Sequence, residues 1–233
     1  FGEVRLGRDY TPQFWNLTVF DPFGTNGVGT SQIQNSSLGG PTQVRASNSI
    51  GYFLPGNLGG FYGQAQYYMG ENLSNTANKK DGNGLSLRVG YANGPINAAL
   101  AFSNTKFLSG DIKTTNVGGS YDLGMAKLMA YYSQDDIKNG PEGKGFLIGG
   151  LVPVGAGEIR LAYSTYKVDT VGADPRSNKI ALGYVHNLSK RTALYATYAH
   201  VSNKNGAAQS LNGSVTAAGD NSNGYDFGIK HSF

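Results

Sequence analysis

The chain has 233 residues, a formal net charge of +4, 35 glycines, 15 tyrosines and no cysteine, and hydrophobic residues make up 39%. The lack of cysteine excludes a disulfide framework and a thiolate metal site. No apolar run approaches the roughly 20 residues of a membrane helix. Lys and Arg are scattered singly apart from Lys79-Lys80 and Lys190-Arg191, which argues against a nucleic-acid surface. A membrane β-barrel stays open, because its alternating strands average out in any hydropathy window.

Taken in chain order, period-two alternation recurs in about twelve segments, the signature of half-buried strands. The first runs over Phe1–Asp9. After a long interruption the pattern resumes at Val44–Leu54, Phe61–Met69, Leu85–Ala92, Ile96–Phe107 and Thr114–Leu123. It continues through Ala126–Ser133, Gly145–Val154, Gly157–Val168, Asn178–Leu188 and Thr192–Ser202, and ends with Gly224–Phe233. In "LSLRVGYANG", Leu85, Leu87 and Val89 oppose Ser86, Arg88 and Gly90. Connections such as "NLGG", "NGP" and "SKR" are short. They alternate with long ones such as "GENLSNTANKKDGNG", "KNGPEGK" and "KNGAAQSLNGSVTAAGDNSN". Short turns at one end, long loops at the other and Tyr at strand ends predict an all-β, antiparallel up-and-down transmembrane barrel. A soluble β-sandwich, with its apolar face in a core, is the alternative that alternation alone leaves open. No linker or shift of composition divides the chain, so residues 1–233 read as one domain.

Strand phase sorts the charges. Arg5, Arg45, Arg88, Lys127, Arg160, Lys179 and Lys230 take the inward phase, with Glu3, Asp122, Glu158 and Asp226, and Asp9 at a strand end. Arg8 takes the outward phase. His186, His200 and His231 share faces with apolar residues and have no acid and Ser companion, so no catalytic constellation is expected. No His and carboxylate spacing suits a metal, and no cofactor is implied.

The interruption holds "YTPQFWNLTVFDPFGTNG", with Phe14, Trp15, Leu17, Val19, Phe20 and Phe23 in a segment of no clean period. Exposing six bulky apolar side chains on a loop is unfavourable by about 25 cal/mol per Å². Packing against an inner wall, or against a partner outside, would relieve that cost.

The opening "FGEVRLGRDYTPQF", the "FDPFG" of this loop, "RASNSIGYFLP" and the terminal "GYDFGIKHSF" resemble the general trimeric porins of Gram-negative bacteria. The type they are most similar to is the anion-selective porins of β-proteobacteria. The resemblance covers the whole chain. It implies sixteen strands, of which Phe1–Asp9 looks like the fifth, so about four N-terminal strands of the full barrel are expected to lie outside this chain. A closed twelve-stranded barrel is the alternative. It also implies that Tyr10–Gln43 is the third loop, folded into the lumen with Phe14, Trp15, Phe20 and Phe23 as its packing residues and its polar tail, "GTNGVGTSQIQNSS", facing the water. The constriction would then be formed by Arg45, Arg5 and Arg88, with Asp21 as the loop's one acid. Lys127, Arg160, Lys179 and Lys230 would be further lumen charges, Arg160 being neutralised by Glu158.

By the same resemblance Arg8 is a trimer contact; independently, Gly2, Val4 and Leu6 on the first strand and Ala46 on the next read as a flat outward face of small residues that suits such a contact. Phe233 would be the last strand residue and the signal read by the outer-membrane assembly machinery. The expected partners are outer-membrane lipid and lipopolysaccharide, two further copies of the chain, and small anions in transit; nucleic acid is not among them. The expected function is passive diffusion of small hydrophilic solutes with an anion preference. A substrate-specific channel with a saturable site for phosphate or an organic acid is the alternative. The two differ in whether conductance saturates with solute.

Overall fold

The computed structural model describes residues 1–211 and 214–233. Asn212 and Gly213, inside the long loop expected at 204–223, lie outside the described residues. Twelve strands form one antiparallel sheet in strictly sequential order. They are β1 (Glu3–Tyr10), β2 (Arg45–Phe53), β3 (Phe61–Tyr68), β4 (Gly84–Asn93), β5 (Ile96–Thr105) and β6 (Ile112–Asp122), followed by β7 (Lys127–Ile137), β8 (Glu142–Val154), β9 (Gly157–Asp169), β10 (Arg176–Asn187), β11 (Thr192–Lys204) and β12 (Ser222–His231). Among the described residues β1 and β12 are the two edges and do not pair with each other.

The burial pattern runs opposite to that of a soluble sandwich. Ser86, Ser103, Ser133, Ser164 and Ser177 are buried, while Leu85, Phe102, Tyr132, Tyr163 and Leu182, of the opposite phase on the same strands, are exposed. An apolar face turned outward and a polar face turned inward is the arrangement of a barrel in lipid. The outward aromatics also meet across strands. Phe61 and Tyr91 do so near the short-turn end, at a centroid distance of 4.9 Å. Tyr198 and Tyr225 pair nearer the long-loop end, at 5.0 Å.

Several sequence expectations are corrected. The irregular segment contains a helix, α1 (Pro12–Phe20), then a short helix, α2 (Gln32–Ser36), and a 3-10 turn at Gly40–Thr42. Pro12 starts α1 because a first-turn proline loses no hydrogen bond. Strand β12 ends at His231, so Phe233 lies beyond it and is fully exposed. Loop lengths do not alternate strictly, since the 138–141 connection on the long-loop side is no longer than the 123–126 turn on the other. Strand β7 continues past Ser133 to Ile137 and carries Asp135 onto the inner face.

The largest correction concerns β2. Gly7 pairs with Ser49 and Asp9 with Ala46, so Ser47 and Asn48 together face Arg8. This is a β-bulge, with Asn48 at φ 50° in the left-handed region that Asn tolerates. The extra residue reverses side-chain phase below it. Ala46 is therefore buried and does not belong to an outward face. Arg45 pairs with Tyr10 and does not share the face of Ser49.

Candidate functional site

The site is the loop 11–44 and the wall it covers. Its base is closed where the Thr11 amide donates to the Val44 carbonyl at 3.1 Å and the Thr11 hydroxyl to the Gln43 carbonyl at 3.2 Å. From there α1 lies across β4 to β7 and α2 lies across β8 to β10. In α1 the buried apolar residues Phe14, Leu17 and Phe20 recur every third position. Leu17 and Phe20 join Ile33, Ala99, Tyr131, Leu147 and Tyr166 in one cluster. Phe23 and Val28 join a second, with Ala162, Ala181, Ala199, Val201 and Leu211. Trp15 and Val19 are only half-buried.

Two inward glycines make the fit possible. A Cβ on Gly118 would lie 2.2 Å from the Phe20 ring, and one on Gly183 would lie 2.8 Å from the Phe23 ring. Glycine on the inward phase opposite a bulky loop is the sequence signal that marks these sockets.

Polar wall groups bind the loop's backbone and side chains. Asn16 donates to the Ala99 carbonyl at 3.1 Å and to Asn116 Oδ1 at 2.9 Å. The Gln32 amide donates to Ser164 Oγ at 2.7 Å, and the Leu38 amide to Tyr166 Oη at 3.0 Å. Asp135, which the sequence reading left outside its strand, is fully buried. It accepts from the hydroxyls of Thr114 at 2.6 Å, Ser37 at 2.7 Å and Tyr166 at 2.5 Å. The segment 28–33 is buried as well, so much of the polar tail lies against the wall and does not face the water.

The expected site residues are distributed as follows. Arg5 is held by Glu3 at 2.7 Å and Asp9 at 3.3 Å and lies over the Phe53 ring. Arg160 is held by Glu158 at 3.0 Å. Asp21 is not a free pore acid. It is buried at the end of α1 and accepts from the amides of Phe23 and Ser31, each at 2.9 Å. Burial pushes its carboxyl up to about 6, against the opposing effect of those amides and of Lys179. Lys179 is also buried beneath the loop, not exposed in the lumen; its ammonium has no hydrogen-bond partner but stands within Coulombic range of Asp21 and Asp226. Lys127 is half-buried, whereas Lys230 is exposed on β12.

Two guanidiniums beside the loop differ from Arg5 and Arg160. Arg45 is exposed and donates to the Tyr10 hydroxyl, 4.2 Å above that ring. The Tyr10 ring in turn stacks on Phe14 and meets Trp15 edge-on, which fixes Arg45 at the root of the loop. Arg88, on β4, donates through Nε to Asn16 Oδ1 at 2.9 Å and through Nη2 to the Tyr62 hydroxyl at 3.4 Å. Among the described residues neither pairs with a carboxylate, whereas Asp21, Asp135 and Asp226 all accept bonds from the loop. Arg8, at the loop end of β1, is exposed and donates to Ser47 Oγ at 2.9 Å.

The comparisons with known proteins agree with this architecture. A family model described as Gram-negative porin matches residues 1–206. The outer membrane porin protein 32 of Delftia acidovorans is 35% identical over 251 residues, covering 100% of this chain and 71% of that protein. The solved anion-selective porin from Comamonas acidovorans superposes with a TM-score of 0.89 at 33% identity, over 100% of this chain and 75% of that one. The trimer form of OmpT, an outer membrane protein of Vibrio cholerae, shares the fold, with a TM-score of 0.71 at 16% identity, over 99% of this chain and 77% of that one. A sheet turned inside out around an inserted loop, and a match along most of the sequence, identify the chain as a member of the Gram-negative porin family, a β-barrel channel of the outer membrane.

Proposed function

We propose that this pore passes small hydrophilic solutes by passive diffusion and prefers anions, with Arg45 and Arg88 as the charges that set the preference. The observation that carries the reading is the division of labour among the charges around the inserted loop, where Arg45, although off the inward phase of Ser49, is held at the loop root by Tyr10. Carboxylates near the loop bind loop amides and hydroxyls or neutralise Arg5 and Arg160. Arg45 and Arg88 bond only to neutral oxygens. The uncompensated charge at the root of the loop, from Arg45, and beneath α1, from Arg88, is thus positive, and a low-dielectric wall focuses its field on passing ions. The anion selectivity named for the Comamonas porin supports the same reading.

The test is the reversal potential of purified protein in planar bilayers under a KCl gradient. Arg45→Glu and Arg88→Glu should each lower the anion-to-cation permeability ratio, most at low salt, because the Debye length is about 10 Å at 0.1 M. Arg160→Ala, beside Glu158, should do less. A double Arg45→Glu, Arg88→Glu variant with an unchanged reversal potential would sink the reading.

In the assembled pore, the edge groups of β1 and β12 need hydrogen-bond partners, since lipid supplies none; further strands of a sixteen-stranded barrel provide them in this proposal. We also place Arg8 at a contact between three copies of the chain, because an outward Arg near the membrane surface is accommodated at little cost there and is free to meet a neighbour's carboxylate. Crosslinking in mild detergent should trap a trimer, and Arg8→Glu should weaken it. Monomers alone under those conditions would refute the assembly.

A further inference from the structure

A cleft of about 780 Å³ opens on the far side of the loop tip from Arg45, toward the short-turn end of β9 to β12. The exposed tip residues Asn26 and Gly27 form its roof, and the inner faces of β9 to β12 form its wall. Four cationic side chains line it: Arg160 on β9, Lys190 and Arg191 in the β10–β11 turn, and Lys230 on β12. The one carboxylate among the lining residues is Asp226.

The charges of this cleft are not equally available. Asp226 already accepts the Val28 amide, and Arg160 is paired with Glu158. Among the described residues Lys190, Arg191 and Lys230 make no ion pair, and all are exposed. Arg191 is held in place, because its Nε donates to the Ser232 carbonyl at 2.8 Å. The turn that carries it is also fixed, with the Arg191 and Thr192 amides both donating to Ser189 Oγ. Neighbouring strands supply the rest of the geometry. Ala193 pairs with Lys230 and Gly183 with Arg160, so both cations rise from the same inner face.

We propose that this cleft is a binding site for small polyvalent anions, molecules with two or more carboxylate or phosphate groups, in transit between the loop and the short-turn mouth. The proposal rests on the reading of the chain as an anion-preferring pore and adds a second, separate site to it. A monovalent anion engages one of these cations at a time, and exposed pairs of that kind are weak and screened. A polyvalent anion engages several at once without losing its freedom again for each contact. Such a solute therefore saturates the cleft at concentrations where chloride does not. Lipid phosphate reaching Lys190 and Arg191 from the membrane surface is the competing occupant, and the experiment separates the two.

The probe is citrate, added to one side at a time of a planar bilayer holding oriented wild-type channels in KCl. Citrate on the short-turn side should reduce the chloride current with saturation, at a lower half-blocking concentration than citrate on the loop side. An Arg191→Ala, Lys230→Ala double variant should raise the short-turn value about tenfold and remove the difference between sides. Heat-modifiable migration on gels verifies that this variant folds. A linear, symmetric citrate effect in wild type, or a block that the variant leaves unchanged, overturns the site. So does a variant that loses co-purifying phospholipid or lipopolysaccharide while citrate block persists. The underlying reading fails separately, through a KCl reversal potential showing cation preference. Saturable, one-sided citrate block in such a channel would still support the cleft.

Discussion

The inserted loop meets the wall in two stretches held by different chemistry. Over β4 to β7, helix α1 presents Leu17 and Phe20 to an apolar cluster, and its polar contacts are to neutral groups and the Arg88 guanidinium. Over β8 to β12, the tip is held through Asp21, Lys179 and Asp226 as well as by Phe23 and Val28. Dispersion and burial respond little to pH or salt. Buried ionisable groups respond strongly, because each change of protonation alters the cost of keeping them out of water. The comparison therefore divides the loop into an anchor that stays fixed and a tip whose hold depends on conditions.

The anchor is broken most directly at Phe20, which is fully buried. Phe20→Ala should cost about 3–5 kcal/mol, the range for truncating a buried Phe. The loss should be the same across pH 4 to 8, read as a lower denaturation midpoint of the folded barrel together with noisier single-channel current. A loss that varied strongly with pH would erase the distinction between the two stretches. Gly118→Ala tests the same contact from the wall side, since its Cβ has to displace the Phe20 ring.

Asp135 lies at the seam, where Ser37 of the loop meets β6, β7 and β9. Asp135→Ala strands the buried hydroxyls of Thr114 and Tyr166 and the half-buried one of Ser37, and an unpaired buried group costs about 1–3 kcal/mol. Some of these hydroxyls turn to other partners, so a total of about 2–4 kcal/mol is expected in the same denaturation assay. Asp135→Asn keeps one acceptor oxygen and should lose less than Asp135→Ala. Equal losses would mean that the carboxylate acts through its charge and not through its bonds.

The strands were legible in the sequence because period-two alternation survives wherever one face meets lipid and the other meets water. Leu85, Leu87 and Val89 against Ser86 and Arg88 need no tertiary information. The loop's interior was less legible. Helix α1 is short, and its buried face includes Gln13 and Asn16 beside Phe14, Leu17 and Phe20, so apolar spacing alone did not reveal it. A single residue added at Ser47–Asn48 reversed the phase of Arg45, and phase arguments carry no memory of a bulge. The burial of Asp21 and Lys179 depends on contact between segments more than 150 positions apart in sequence. No local pattern encodes such a pairing; at Gly118 and Gly183 the inward-phase glycine is legible, but which loop ring fills each socket is not.

The smallest expected effect belongs to the tip and sharpens the comparison through its pH dependence. Asp21 titrates near 3.8 when solvated and is pushed up to about 6 in the fold, by burial that outweighs the Phe23 and Ser31 amides and the charge of Lys179. The other charged group in this cluster, Asp226, acts on Lys179 from β12. Between the two Asp21 values the folded protein holds a proton that the unfolded chain has released. This group's contribution to stability is therefore full below about pH 4, falls as pH rises toward 6, and is flat above that. The span is about 1–3 kcal/mol. Asp21→Asn removes the titration while leaving one of the two amides without its acceptor, so the variant is offset at every pH. The diagnostic quantity is the slope, not the offset. Denaturation midpoints of wild type measured from pH 4 to 7 should contain a component that declines up to about pH 6 and is absent from Asp21→Asn. If the two proteins show parallel pH profiles, Asp21 does not titrate in this window, and the tip is held by its apolar contacts in the same manner as α1.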